Sequence, residues 1–161
     1  MVTMHASPMD AVKNGSEGRD QSSVQPDVEL VLPALPENVA VVRHVFAGVG
    51  DVLGMDSSSL GRLRLALSEA CTNVVVHAYD EDKRGTLEVD AIIEDRLLNV
   101  IVRDRGVGVR PRPDSPGLGM GLPLIAAVTD EVEIVGNEQR GNEVRMTFLL
   151  PGAGDAAAEG P

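Results

Sequence analysis

Aromatic side chains are almost missing from this 161-residue chain, which has no Trp, one Tyr (Tyr79) and two Phe (Phe46 and Phe148). Without such rings there is no platform on which nucleic-acid bases could stack, and the core has to be built from Val, Leu, Ile, Ala and Met. Positive charge is also scarce: 14 Lys and Arg stand against 25 Asp and Glu, for a formal net charge of -11. That balance repels a phosphate backbone, so DNA and RNA are not expected partners. The single cysteine, Cys71, excludes an internal disulfide and agrees with a reducing compartment. No run approaches the roughly 20 apolar residues of a membrane span, and the N-terminus has no apolar signal core. A soluble cytoplasmic protein without a membrane partner is expected.

What is present suits one aliphatic domain, since 43% of the residues are hydrophobic. Residues 1–26 mix Ser, Gly, Asp, Gln and Pro without an apolar period, and residues 152–161 are Gly, Ala and acid ending in Pro. Both read as disordered tails around a domain at 27–151. Within it, residues 28–34 alternate as a first strand, and Pro36 opens a helix that Gly48 and Gly50 should end. Asp56 or Ser57 can cap a longer helix reaching about Tyr79. The β-branched runs 86–95 and 97–104 predict an antiparallel hairpin. A Pro- and Gly-rich loop over 105–118 leads to a short helix with Pro123 in its first turn, and a hairpin closes the domain before Pro151. This order predicts an α+β fold with helices on one face of a sheet rather than a doubly wound one.

Glu69, Asn73 and His77 recur every four residues on the longer helix. At 3.6 residues per turn they form one polar stripe, opposite Leu63, Leu67, Cys71, Val74 and Ala78. A solvated face of an amphipathic helix is the plain alternative. Against it, Ser68, Thr72 and Val76 beside the stripe are short and no Lys or Arg occurs between Leu65 and Lys83, as if the surface were covered. Asn73 offers Mg²⁺ a neutral oxygen, sufficient when phosphate oxygens complete the shell. Glu69, one turn earlier, can deprotonate a hydroxyl. His77, near the helix end, is expected to bond a carbonyl rather than to act in catalysis.

Asp104 ends the second hairpin strand and is followed by Gly106 and Gly108. A carboxylate accepts hydrogen bonds without donating, so it takes the amino hydrogen of adenine and rejects the carbonyl of guanine. The two glycines let the backbone approach a flat base. Further on, Gly117, Gly119 and Gly121, with Met120 before the last, open the short helix, where free amides and the positive dipole end accept phosphate. Their spacing is neither a Rossmann fingerprint nor a Walker A motif. Each segment alone is weak evidence; their order is not.

In that order they resemble the ATP-binding domain of the GHKL superfamily, the Bergerat fold shared by gyrase, histidine kinases and MutL. Within it, the chain is similar to the bacterial anti-sigma factor serine kinases over about residues 28–150. The runs LPALPENVAVVRHVF, LRLALSEACTNVVVHAY, VRDRGVGV, GLGMGLPLI and GNEVRMTFLL carry the likeness. It implies a two-layer α/β sandwich with a mixed, mostly antiparallel sheet, often as a homodimer, with ATP and Mg²⁺ as cofactors. Glu69 would be the general base and Asn73 the metal ligand; Asp104, Gly106 and Gly108 would bind the adenine, and Gly117, Gly119, Met120 and Gly121 the phosphates. The partners implied are an anti-anti-sigma protein of the STAS type, phosphorylated on serine, and a sigma factor. No histidine-bearing dimerisation helix precedes the domain in this sequence, so a complete sensor histidine kinase is not expected.

Two departures stand out. The lid between Gly108 and Gly117 is only VRPRPDSP, with Arg110 and Arg112 as its basic groups, and Asn142 stands where a threonine commonly follows the glycine. The short lid leaves a second reading open, a nucleotide-dependent binding module with little or no kinase activity.

Overall fold

The computed structural model describes residues 2–4, 25–79, 85–106, 121–137 and 141–152. The β-branched runs become strands β1 (Val2–Met4), β2 (Val28–Pro33), β3 (Thr86–Glu94), β4 (Leu97–Asp104), β5 (Glu131–Asn137) and β6 (Gly141–Leu149). They form one sheet in the order β1-β2-β3-β4-β6-β5. Every neighbouring pair is antiparallel, so the parallel component of the expected mixed sheet is missing among the described strands. Only Asp95 and Arg96 separate β3 from β4, and Asp95 takes the left-handed φ of 52° that such a tight turn demands. A further correction concerns the expected N-terminal tail: Val2–Met4 pair with Val28–Leu30 as an edge strand. Residues 5–24 and 153–161 of the two expected tails lie outside the described residues.

Strand periodicity separates the faces. Leu87, Val89 and Ala91 of β3 and Leu98, Val100 and Val102 of β4 are buried in one cluster with Met146 and Phe148 of β6. Helices α1 (Pro36–Val52), α2 (Ser57–Asn73) and α3 (Gly121–Val128) contribute Phe46, Leu67 and Ile125 to the same cluster. Pro36 occupies the first turn of α1, where its missing amide costs no hydrogen bond. The helix runs past Gly48 and Gly50, and the residue that turns the chain is Gly54, at φ +76°. Gly50 has a packing role instead: a Cβ there would sit 2.8 Å from Leu60 Cδ2 and 2.9 Å from Met55 Sδ, so its absence lets α1 and α2 approach closely. Asp56 caps α2, accepting the Ser59 amide at 2.7 Å.

The other face of the sheet is polar. Arg103 joins Asp90 and Glu143 across three strands, and Arg145 joins Glu143 to Glu133. Partial burial by itself would raise the Glu143 carboxyl, but the Arg145 and Arg103 guanidiniums beside it prevail and hold it below its ordinary 4.5. A depressed carboxyl stabilises the fold above its unfolded pKa, and that contribution is lost as pH falls through the lower folded value. Urea midpoints measured from pH 7 to pH 3 should therefore decline below about 4.5. Glu143→Gln should be less stable at pH 7 and show a shallower acid decline; an equally steep one would remove Glu143 as a cause.

Candidate nucleotide site

The same packing that builds the core decides where α2 points its polar residues. Leu63, Ala66, Leu67, Ala70 and Cys71 are buried against the sheet, which leaves Glu69 and Asn73 half-buried at the side of the helix. Burial also pushes the Cys71 thiol up to about 12, so no thiolate is available as a nucleophile. Beside the stripe the expected cover is missing among the described residues: Thr72 is exposed and Val76 is 58% exposed. Ser68 turns back to its own helix, donating to the Arg64 carbonyl at 2.7 Å.

Helix α3 starts directly over the stripe. A Cβ on Gly121 would lie 3.3 Å from Asn73 Nδ2 and 3.4 Å from Glu69 Oε2, so the glycine brings the first-turn backbone of α3 against both side chains. An acid, an amide and the positive end of a helix thus share one spot. Such donors, an amide oxygen and backbone N–H groups, have the chemistry to take an anion beside a hard cation. Among the described residues no cluster of His, Cys, Asp and Glu could hold a metal by itself. A metal here has to share its shell with ligand oxygens, as Mg²⁺ does.

After Asn73 the helix widens. Val74–Ala78 form a π-helical turn, which sequence periodicity reads as continuing α-helix. Three successive valines, stiff at χ1 and crowded in an α-helix, are the only local signal; turns of this kind recur at functional sites. His77 lies on it half-buried, and the carbonyl bond expected of it is not made among the described residues. At the end of the turn, the Ala78 carbonyl faces Gly106 so closely that no Cβ fits between them.

Asp104 stands at the other side of that contact. It keeps the parity of Leu98, Val100 and Val102, so its carboxylate emerges on the helix side of the sheet rather than among the outer ion pairs. It is only 4% exposed. Its Oδ1 accepts the Gly106 amide at 2.9 Å, and Asn142 Nδ2 donates to Oδ2 at 3.1 Å. The residue that departs from the family pattern therefore orients the carboxylate directly. Gly141, at φ +86°, brings β6 against the Asp104 backbone where a Cβ would collide. Glu69, Asn73 and Gly121 are thus gathered at one end of the π turn, and Asp104 and Gly106 at the other. Gly108, Gly117, Gly119 and Met120 lie outside the described residues, as do Arg110 and Arg112.

Residues 32–148 match the model of the histidine kinase-like ATPase domain. The chain belongs to this family. Over 138 residues it is 35% identical to the serine-protein kinase RsbW of Bacillus mycoides and, equally, to that of Bacillus cereus strain Q1, covering 76% of this chain and 84% of each relative. Among solved structures it is similar to the RsbU and RsbW domains of Rv1364c from Mycobacterium tuberculosis, with a TM-score of 0.60 and 25% identity over 76% of this chain; the match spans 32% of that longer protein. The family's ATPase fold accounts for helices on one face of an antiparallel sheet.

Because Gly106 rests on the Ala78 carbonyl, Gly106→Ala should force the loop away from the π turn. We expect at least about tenfold weaker binding of Mg·ADP, an interaction change of about 1.4 kcal/mol, measured by calorimetric titration. Affinity within twofold of wild type would show that the contact does not shape the site.

Proposed function

We propose that this chain is an ATP-dependent protein serine kinase of the RsbW type, acting in the cytoplasm on a serine of a STAS-type anti-anti-sigma protein and sequestering a sigma factor. The observation that supports this reading is the approach of Gly121 to Glu69 and Asn73; on this reading Glu69 is the base, Asn73 the amide-oxygen donor and the start of α3 the phosphate acceptor. The 35% identity to serine-protein kinases over most of both chains supports it.

Each residue then has a task. Asp104, held by Gly106 and Asn142, accepts the adenine amino group. Asn73 offers its amide oxygen to Mg²⁺, which when bound neutralises charge on the phosphate oxygens. Glu69 makes no ion pair among the described residues, so its carboxylate is free to accept the proton of the attacking serine hydroxyl. The α3 amides hold the anionic end, and the loop glycines Gly117 and Gly119 would extend that cradle. A homodimer is the expected assembly.

The chemistry separates two variants. Asn73→Ala should lose metal-dependent ATP binding, seen as loss of the thermal stabilisation that ligand at about 100 times Kd supplies, about 2.7 kcal/mol. Glu69→Ala should keep that stabilisation and lose phosphotransfer by about 10²- to 10⁴-fold, measured with labelled ATP and the co-purifying partner. Full transfer by Glu69→Ala would remove Glu69 as the base. The short sequence between Gly108 and Gly117, which contains Pro111, Pro113 and Pro116, favours the second reading, a nucleotide-dependent clamp. Retained ATP binding by wild type with no label on serine would select it.

A further inference from the structure

Tyr79 is the only tyrosine of the chain, and it stands where three parts of the fold meet. It leaves the π turn in an extended conformation, with φ -127° and ψ 148°, which carries its ring across to Gly85. A Cβ on Gly85 would collide with that ring, so the glycine provides the seat. The phenol then does two things: it donates to the Thr86 carbonyl at 2.6 Å and accepts the Arg105 amide at 2.9 Å. A tyrosine hydroxyl has one hydrogen to give. With that hydrogen directed to Thr86, its lone pair is fixed toward Arg105.

Arg105 is the residue between Asp104 and Gly106. Its amide is held by Tyr79 and the next amide by the Asp104 carboxylate itself, while Gly106 packs directly against the Ala78 carbonyl. Tyr79 alone among these braces ties the loop to the start of β3, and through its own backbone to the helix that bears Glu69 and Asn73. We propose that Tyr79 is the positioning residue for the base-binding carboxylate, and that its hydroxyl sets how sharply the site prefers adenine to guanine nucleotides. This rests on the reading of the site as ATP-binding. Without the hydroxyl, the turn after Asp104 loses one of its two amide anchors, and the carboxylate can tilt away from the adenine amino group. Guanine, which presents a carbonyl there and gains nothing from the aligned carboxylate, is affected far less.

Tyr79→Phe keeps the ring and removes only the oxygen. Titrated calorimetrically with Mg·ATP and Mg·GTP, the variant should bind ATP about tenfold more weakly, the equivalent of about 1.4 kcal/mol. Its GTP affinity should stay within about twofold of wild type, so the preference narrows. A merely structural role would weaken both nucleotides alike, and that result, or an unchanged ATP affinity, overturns the proposal. The wild-type chain offers a second measurement that no folding defect can confound: with one Tyr and no Trp, protein labelled with 3-fluorotyrosine has a single ¹⁹F resonance, from Tyr79. Saturating Mg·ATP should shift it, and an unmoved resonance in a nucleotide-bound protein overturns the proposal equally. Failure of wild type to bind ATP at all would instead sink the nucleotide reading, and the proposal with it.

Discussion

The rotation of α2 about its own axis is the constraint from which the site follows. Leu63, Leu67, Cys71, Val74 and Ala78 are all buried, and close packing of aliphatic side chains tolerates little rotation before voids or overlaps appear. Once that stripe is seated on β4 and β6, Glu69 and Asn73 have one direction left, toward the start of α3. Their placement needs no dedicated scaffold, because the core provides it. The chain has few aromatic residues to lock the packing, and both Phe46 and Phe148 are used in this layer, fully buried.

The second constraint is parity in β4. Moving the pairing of β3 and β4 by one residue would exchange Asp104 with Arg103 and send the carboxylate to the outer face. The register Leu87 to Asp104, Val89 to Val102 and Ala91 to Val100 prevents this by keeping five apolar residues inward. Gly141 and Asn142 at the start of β6 then close around the strand end, one by backbone proximity and the other by a hydrogen bond. The two ends of the site therefore depend on two periodicities, 3.6 in α2 and 2 in β4, read from one continuous core.

These periodicities explain what the residues disclosed in advance. Amphipathic spacing located α2 and its polar stripe, β-branched runs located both hairpins, and Pro36 and Asp56 marked helix starts that the fold retains. The end of α1 was not legible, because Gly48 and Gly50 resemble stop signals and their packing reason depends on Leu60 and Met55 arriving from the next helix. The strand Val2–Met4 carries too few residues for a period and owes its existence to the open edge of β2. The π turn was hidden for a related reason, since an inserted residue changes helix geometry without changing the apolar spacing of Val74 and Ala78. Tyr79 escaped notice as a hydrogen-bonding hub because its partners, Thr86 and Arg105, lie on other elements.

Charge raises the remaining difficulty: a chain of net charge -11 must hold an anion. The arginines at the sheet do not help, for Arg103, Arg105 and Arg145 are engaged with Asp90, Glu143, Glu88 and Glu133 on the outer face. Adding a lysine beside Asn73 would attract phosphate, but it would also pair with Glu69 and remove the carboxylate from the task as a base proposed for it. Backbone amides at a helix start have no such conflict, because their partial charge is fixed in direction and cannot swing toward the acid. A divalent ion brought by the nucleotide would likewise be absent from an empty site, where Glu69 makes no ion pair among the described residues. On the proposed reading, the scarcity of basic residues between Leu65 and Lys83 is then a requirement of having a base and a phosphate cradle in contact.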